Sequence, residues 1–280
     1  MRTLVTGAGG QVGQAVVAAL GNREVLALAH AELDLADADR IEQVMGEALP
    51  DAVINCAALT NVDRCEEDPD AAFGANALGV RNLAVAATRV GAHVVHISTD
   101  YVFDGHGRRP YGEWDAVAPI QQYGRSKLAG EQELAWHASS WTVARTAWVY
   151  GRRGHDFVSF VLDAVDRGET PPVLDDQTSS PTYAPDLAVA LVALAAARRP
   201  GVFHVTNAGA ATRLELATRI LTLRGLDPGR VKPVSTADLN RPAARPTYSA
   251  LDNGAFRLLG LAPLRPWFDA LADYLEGDAR

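Results

Sequence analysis

The chain has 280 residues, with 26 basic against 34 acidic side chains, a net charge of -8 and a pI near 5.4. That balance excludes a general nucleic-acid surface, and 48% hydrophobic with 21% charged residues excludes a disordered chain and fits one large core or a core plus a lobe. No apolar run approaches the ~20 residues that cross a bilayer and the N-terminus has no leader pattern, so no membrane partner is expected and the cytoplasm is the expected compartment.

The first element is a short β-branched strand, Thr3–Val5, followed by Gly7-Ala-Gly-Gly10-Gln-Val-Gly13 and a helical run from Gln14 to Leu20. Strand, glycine turn and helix form the context of a dinucleotide site, where the backbone approaches a pyrophosphate and the helix N-terminus attracts its charge. The spacing is G-x-x-G-x-x-G, because Val12 stands where G-x-G-x-x-G needs its last glycine. Gly7, Gly10, Gln11 and Val12 are the expected contacts. The second strand, Val25–Ala29, ends Leu28-Ala29-His30. NAD-preferring relatives of this fold carry an acidic residue ~20 residues beyond the glycines to hold the ribose hydroxyl. Ala29 cannot accept that hydrogen bond and His30 leaves room for a phosphate, so NADPH is favoured over NADH. Glu32 takes the acidic role if the strand runs longer. Asp34 and Leu35 are placed near the adenine.

Strands at Ala52–Asn55, Val94–Ile97 and Thr142–Arg145 continue the alternation with helices, which predicts an α/β fold with a Rossmann-like, doubly wound parallel sheet. Ligands bind such sheets beyond the carboxyl ends of the strands. Attention therefore falls on Asn55-Cys-Ala57-Ala58, Ser98-Thr99-Asp100 and Thr146-Ala-Trp148, with Ala57 and Ala58 as further cofactor contacts. Cys56 and Cys65 stand in no Cys/His cluster, and no metal is expected.

Tyr123-Gly-Arg-Ser-Lys127 puts a phenol and an ammonium at i and i+4, in a chain whose lysines are Lys127 and Lys232. On one helix face the cation would lower the phenol pKa and make Tyr123 a general acid, while Lys127 also holds the nicotinamide ribose. A bare Tyr-x-x-x-Lys also occurs on solvated helices; the glycine turn upstream favours the chemical reading. Thr99, at the end of the fourth strand, would hydrogen-bond a substrate oxygen beside Tyr123, although a hydroxyl there also serves as a cap. After Gly151 prolines and short elements multiply. Residues 1–150 are read as the NAD(P)-binding domain, and 151–280 mainly as a smaller C-terminal substrate-binding lobe with possible return segments. Trp267-Phe268, Leu271 and Tyr274-Leu275 predict a final amphipathic helix.

The chain resembles an extended short-chain dehydrogenase, and along nearly its whole length its motifs resemble the dTDP-4-dehydrorhamnose reductase family. The resemblance is carried by the glycine turn, Ala57-Ala-Leu-Thr-Asn-Val-Asp63 with Glu66, Ser98-Thr-Asp-Tyr-Val-Phe-Asp-Gly105, Tyr123-Gly-Arg-Ser-Lys127, Arg145-Thr-Ala-Trp-Val-Tyr-Gly151, Asp176-Gln177 before Pro181-Thr182, and Arg245-Pro246 before Ser249. It implies reduction of the C4 ketone of dTDP-4-dehydro-L-rhamnose with NADPH or NADH. It also implies a catalytic trio of Thr99, Tyr123 and Lys127, and a sugar pocket of Val62, Asp100, Tyr101 and Trp148 with Thr99 and Tyr123. Arg241 and Arg245 are candidates for the nucleotide-sugar diphosphate, since guanidinium groups pair bidentately with phosphate oxygens; for Arg241, a surface charge is the alternative.

Two departures stand out. Some members of that family bridge subunits through a metal held by a glutamate on the first helix, whereas Gln11 to Leu20 contains no acid; a monomer or a homodimer without a bridging metal is expected. The family usually has Asn where this chain has Asp156. A dehydratase would need Asp-Glu after the threonine in place of Asp100-Tyr101. A 4-ketoreductase for another deoxysugar, such as an antibiotic sugar, and a non-catalytic cofactor-binding subunit are the other readings.

Overall fold

Neighbouring strand residues enter two different apolar layers, as they must in a sheet covered on both faces. In the computed structural model, which describes residues 1–151 and 156–278, Leu4, Val53, Val94 and Val143 join one buried cluster. Their chain neighbours Val5, Ile54, Val95 and Ala144 join the cluster on the opposite face. Both layers have to be apolar, so these strands appear in the sequence as short continuous hydrophobic runs.

The first half comprises β1 (Thr3–Thr6), α1 (Gln11–Leu20), β2 (Val25–Leu28), α2 (Ala38–Ala48), β3 (Ala52–Asn55), α3 (Val62–Glu67), α4 (Pro69–Phe73), a π-helical turn (Gly74–Leu78), α5 (Gly79–Val90), β4 (His93–Thr99), a 3-10 turn (Asp100–Val102), α6 (Gln122–His137) and β5 (Trp141–Thr146). Then follow β6 (Val149–Tyr150), α7 (Phe157–Asp166), β7 (Pro172–Leu174), β8 (Thr178–Ser179), β9 (Thr182–Tyr183), α8 (Ala184–Ala197), β10 (Gly201–His204), β11 (Ala211–Thr212), α9 (Arg213–Leu223), β12 (Lys232–Val234), α10 (Gly254–Leu258) and α11 (Trp267–Asp278). The main sheet has the order β2-β1-β3-β4-β5-β10, with every pairing parallel. Its strand order reverses between β1 and β3, the switch point at which this class of sheet opens a crevice.

The chain after Gly151 does two things. α8 packs its Leu187, Leu191 and Leu194 against the α1 face of the sheet, and β10 becomes the edge strand beside β5. The remaining segments build a separate core from α7, α9 and α11, in which Tyr150, Tyr183 and Tyr274 lie against one another. In α11 Leu271, Tyr274 and Leu275 are buried, while Phe268 is off that face and exposed. Among the described residues no helix is long and apolar enough to cross a membrane.

Candidate active site

Gly7 leaves β1 at φ +64°, and a Cβ there would stand 2.6 Å from the Ala57 nitrogen; the turn closes against the end of β3 only with glycine. α1 starts at Gln11, three residues before the periodic run suggests. Its N-cap, Gly10, offers no side-chain hydrogen bond, so the first amides of the helix are left for a ligand. Gln11 instead reaches Asp156, whose carboxylate accepts from Gln11 Nε2 at 3.1 Å, from the Gly151 amide at 3.1 Å and from the Ser159 amide at 2.8 Å. Asp156 is thus the N-cap of α7, which accounts for an acid at that position.

β2 ends at Leu28, one residue sooner than the sequence pattern suggests, and Ala29 opens a tight turn. In that turn Glu32 folds back, and its Oε2 accepts the Ala29 amide at 2.9 Å. The acid therefore reaches the strand end although the strand is short. His30 is exposed, 4.0 Å from Asp34, and Asp34 accepts the Ala36 amide at 3.0 Å. Leu35 turns its side chain into the core with Ile41 and Val80.

Thr99 ends β4 and caps the short turn after it. Its hydroxyl accepts the Tyr101 amide at 3.2 Å and donates to Asp100 Oδ1 at 3.0 Å. α6 begins against this turn, because Gly124 lies so close to the Tyr101 carbonyl that a Cβ would come within 2.0 Å. Gln121 caps the helix by accepting the Gly124 amide at 2.7 Å, and Glu66 of α3 accepts the Gln122 amide at 2.9 Å. These contacts set the Tyr123 ring edge-on to Tyr101, with centroids 5.9 Å apart.

The electrostatics correct one expectation. The Tyr123 phenol lies above the ordinary tyrosine range and not below it: burial is the largest influence and raises it, hydrogen bonding with Thr99 works in the opposite direction, and Asp100 adds to the rise. Nζ of Lys127 lies in the protein interior, donating to the Ile97 carbonyl at 2.7 Å with His96 Nε2 at 3.2 Å. Burial lowers the lysine to about 8. A cation on an adjacent turn helps a phenol only if it is charged and directed at it, and here the side chain points to β4.

Asp100 is 2% exposed and its other oxygen receives the hydroxyls of Ser179, at 2.9 Å, and Ser249. Burial raises its carboxyl to about 6 against the pull of those hydroxyls and Thr99. Trp148 has a backbone φ of +42°, a region costing roughly 1–2 kcal/mol for a residue with a side chain. The Arg213 guanidinium covers its ring, 3.6 Å from the centroid. Arg213, Arg241 and Arg245 all act on Tyr101, each lowering its pKa against the burial that raises it. Arg245 is partly committed, to Asp63 at 3.0 Å and to the Ala243 carbonyl at 2.8 Å. Val62 starts α3, half-buried, beside Asp63.

A cavity of about 420 Å³ links these groups, from Gly10, Gln11 and Val12 past Ala57 and Ala58 to Thr99, Asp100, Tyr123, Lys127 and Trp148. It joins an uncapped helix N-terminus, a hydroxyl–phenol pair and an aromatic wall. Those features fit a dinucleotide along the glycine turn with a carbonyl substrate beside Tyr123. Sequence reasoning missed Arg213, Ser179 and the Asn55–His96 pair behind Lys127. Arg213 opens α9 and gives no signal in the linear pattern.

Comparison with known proteins adds to this geometry. The family described as RmlD substrate binding domain matches residues 1–279. A dTDP-4-dehydrorhamnose reductase of Mycobacterium tuberculosis is 45% identical, covering 99% of this chain and 93% of the relative. A probable dTDP-4,6-dihydroxy-2-methyloxan-3-one 4-ketoreductase of Streptomyces antibioticus is 43% identical over 98% of this chain and 94% of the relative. The crystal structure of the dTDP-4-dehydrorhamnose reductase of Bacillus anthracis in complex with NADP superposes with a TM-score of 0.95, at 36% identity and 99% coverage of both chains.

Proposed function

The chain belongs to the RmlD substrate binding domain family of dTDP-4-dehydrorhamnose reductases, and from that premise we propose that it reduces the C4 ketone of a dTDP-4-dehydro-6-deoxysugar, dTDP-4-dehydro-L-rhamnose first, using NADPH. The observation that carries this reading is the meeting of Thr99, Tyr123 and Lys127 in the cavity that opens at Gly10. Gly10, Gln11, Val12, Ala57, Ala58 and Lys127 would hold the dinucleotide. Bound there, the reduced cofactor supplies a hydride to the carbonyl carbon.

Tyr123 donates to the carbonyl oxygen, joined by Thr99 once its hydroxyl turns from Asp100, and Tyr123 delivers the proton as negative charge develops there. A neutral phenol with a raised pKa is a donor held in its protonated form, suited to an alkoxide that needs a proton. Tyr101 and Trp148 flank the deoxysugar, whose methyl face suits an aromatic wall. Arg213 and Arg241 face the diphosphate, with Arg245 braced on Asp63. In this reading residues 1–150 supply the cofactor site, and 151–280 supply the substrate side together with α8 and β10, which complete the sheet.

We propose NADPH over NADH because Ala29 offers no ribose acceptor and one Glu32 oxygen is turned back to the Ala29 amide. The α1 sequence offers no acid for a bridging metal, which supports a monomer or a dimer joined without one. A second reading, a 4-ketoreductase for a different dTDP-deoxysugar, is favoured by the near-equal identity to the Streptomyces antibioticus relative. Steady-state NADPH oxidation with a panel of dTDP-4-keto-6-deoxysugars, followed by NMR of the product at C4, tests both. Turnover confined to sugars other than dTDP-4-dehydro-L-rhamnose selects the second.

A further inference from the structure

Behind the cleft, the end of β3 and the middle of β4 hold a sealed chain of polar groups that reaches Lys127. Asn55 and His96 have no exposed surface and Lys127 has 2%. The Asn55 amide has one orientation, because its Oδ1 accepts the Ala57 N–H at 3.1 Å and the Thr6 hydroxyl at 2.7 Å. Its Nδ2, which can only donate, therefore faces His96 Nδ1 at 3.0 Å. A neutral imidazole that accepts at Nδ1 carries its proton on Nε2. That Nε2 is 3.2 Å from Lys127 Nζ. An ammonium has three donors and no acceptor, so N–H would meet N–H. The contact is a hydrogen bond when Nζ is a neutral amine, accepting from His96 and donating to the Ile97 carbonyl. An imidazolium does not resolve the conflict, since burial and Lys127 hold His96 well below the usual histidine range.

We propose that Asn55 and His96 are positioning residues that fix the Nε2–H tautomer and stabilise the neutral amine of Lys127 in the cofactor-free protein, so that above pH 8 binding of the dinucleotide draws a proton from solvent onto Nζ. The proton bonds to the Nζ lone pair and the buffer supplies it; no other bond forms or breaks. This rests on the cofactor reading above, in which an anionic diphosphate enters a cavity that Lys127 lines and favours the charged form. The other groups around Lys127 do not supply the missing acceptor. Glu131, a turn along α6, is held by Arg145 of β5 and Ser98 of β4. Cys56, beyond β3, is a thiol that burial raises to about 12. Tyr123 and Asp100 line the cavity itself. Glu66 of α3 is spent on the Gln122 amide, Cys65 of α3 is a buried thiol whose pKa burial raises, and Arg81 of α5 faces Glu133 farther along the helix.

The test is calorimetric titration of the full chain with NADP⁺ in buffers of different ionisation enthalpy, between pH 8 and 9, above the cofactor's own 2′-phosphate titration. With free Lys127 titrating at about 8, uptake of about half a proton per bound dinucleotide is expected at pH 8, rising toward one at pH 9. Asn55→Asp keeps the acceptor for Thr6 and Ala57 but accepts from Nδ1–H, which turns Nε2 into an acceptor and makes Lys127 a cation beforehand. Its uptake should fall at least fivefold. Wild-type binding heat that is independent of buffer, or uptake that Asn55→Asp leaves unchanged, overturns the proposal while leaving the cofactor reading intact. Absence of any binding heat overturns both. If Asn55→Asp does not fold, the wild-type series still decides, because uptake below about a quarter of a proton at pH 9 rejects the neutral amine.

Discussion

Lys127 Nζ donates to the Ile97 carbonyl at 2.7 Å, across from its own helix, and so turns its back on the Tyr123 phenol one turn away. The two residues named together by their spacing have different neighbours. Tyr123 answers to Thr99 and to burial, and Lys127 to the interior of the sheet.

Tyr123→Phe removes the proton donor and little volume. Turnover should fall by ~10²–10⁴-fold, the usual contribution of a positioned general acid, while cofactor affinity measured by fluorescence titration stays within about twofold of wild type. Retention of more than about half the rate removes the phenol from the reaction.

Arg213→Ala strips the cation from the Trp148 face and one guanidinium from beside Tyr101. A stacked cation of this kind contributes about 0.5–2 kcal/mol, so KM for the nucleotide sugar should rise about two- to thirtyfold with KM for NADPH unchanged. Arg213→Lys should recover part of it, because lysine keeps the charge but not the planar stacking. An unchanged sugar KM in steady-state assays would assign Arg213 to packing alone.

Cofactor preference should turn on the end of β2. The ratio of kcat/KM for NADPH to that for NADH should fall at least tenfold in Ala29→Asp, which restores a ribose acceptor, and rise in Glu32→Gln. If neither variant moves the ratio, the ribose lies away from this turn.

Asp100 gives a pH signature in stability. Its carboxyl is raised in the folded protein to about 6 from the 3.8 of a free aspartate, so well below pH 4 both states are protonated and the burial of its charge costs nothing. The cost appears as pH rises through 4 to 6, where the folded state holds the proton that the unfolded state has lost. At about 1.36 kcal/mol per pKa unit, and with the unfolded carboxyl still more than half ionised at pH 4, the wild type should gain roughly 2.4 kcal/mol relative to Asp100→Asn on going from pH 7.5 to 4. Urea unfolding at the two pH values measures it; a difference that stays constant, or shifts the other way, shows that the carboxylate is ionised in the folded protein throughout.

Chelation by EDTA should leave activity and mass in solution unchanged, because α1 presents no acidic residue to a bridging ion. Light scattering with and without chelator reads this directly. A dimer that dissociates in EDTA and returns with magnesium would place the metal ligands elsewhere.

Much of the site was legible because its signals are local. The glycine turn, the strand ends and Tyr123 with Lys127 each lie within a few residues of chain, where spacing has a direct geometric meaning. The direction of the Lys127 side chain was not legible, since it depends on His96 and Ile97 from a strand some thirty residues away. Arg213 escaped notice because it matters only when the left-handed backbone at Trp148 turns the indole beneath it. The strand β10 carries Val202 and Phe203 in a short segment between proline and polar residues, with nothing local to say that it pairs with β5. Strand length alone leaves Glu32 short of the ribose site, whereas a turn brings it to the strand end.

That late strand has a bearing on how the molecule could be cut or recombined. A fragment ending near residue 150 would leave the β5 edge with unpaired amides and carbonyls and bare the apolar face that α8 covers, an invitation to strand-to-strand association. Exchanging the substrate half with a sibling reductase at that point would therefore also exchange an edge of the nucleotide sheet. A chimera that keeps the sheet native needs three crossovers, one before β6 and a pair enclosing α8 and β10, so that residues 184–204 travel with the first half.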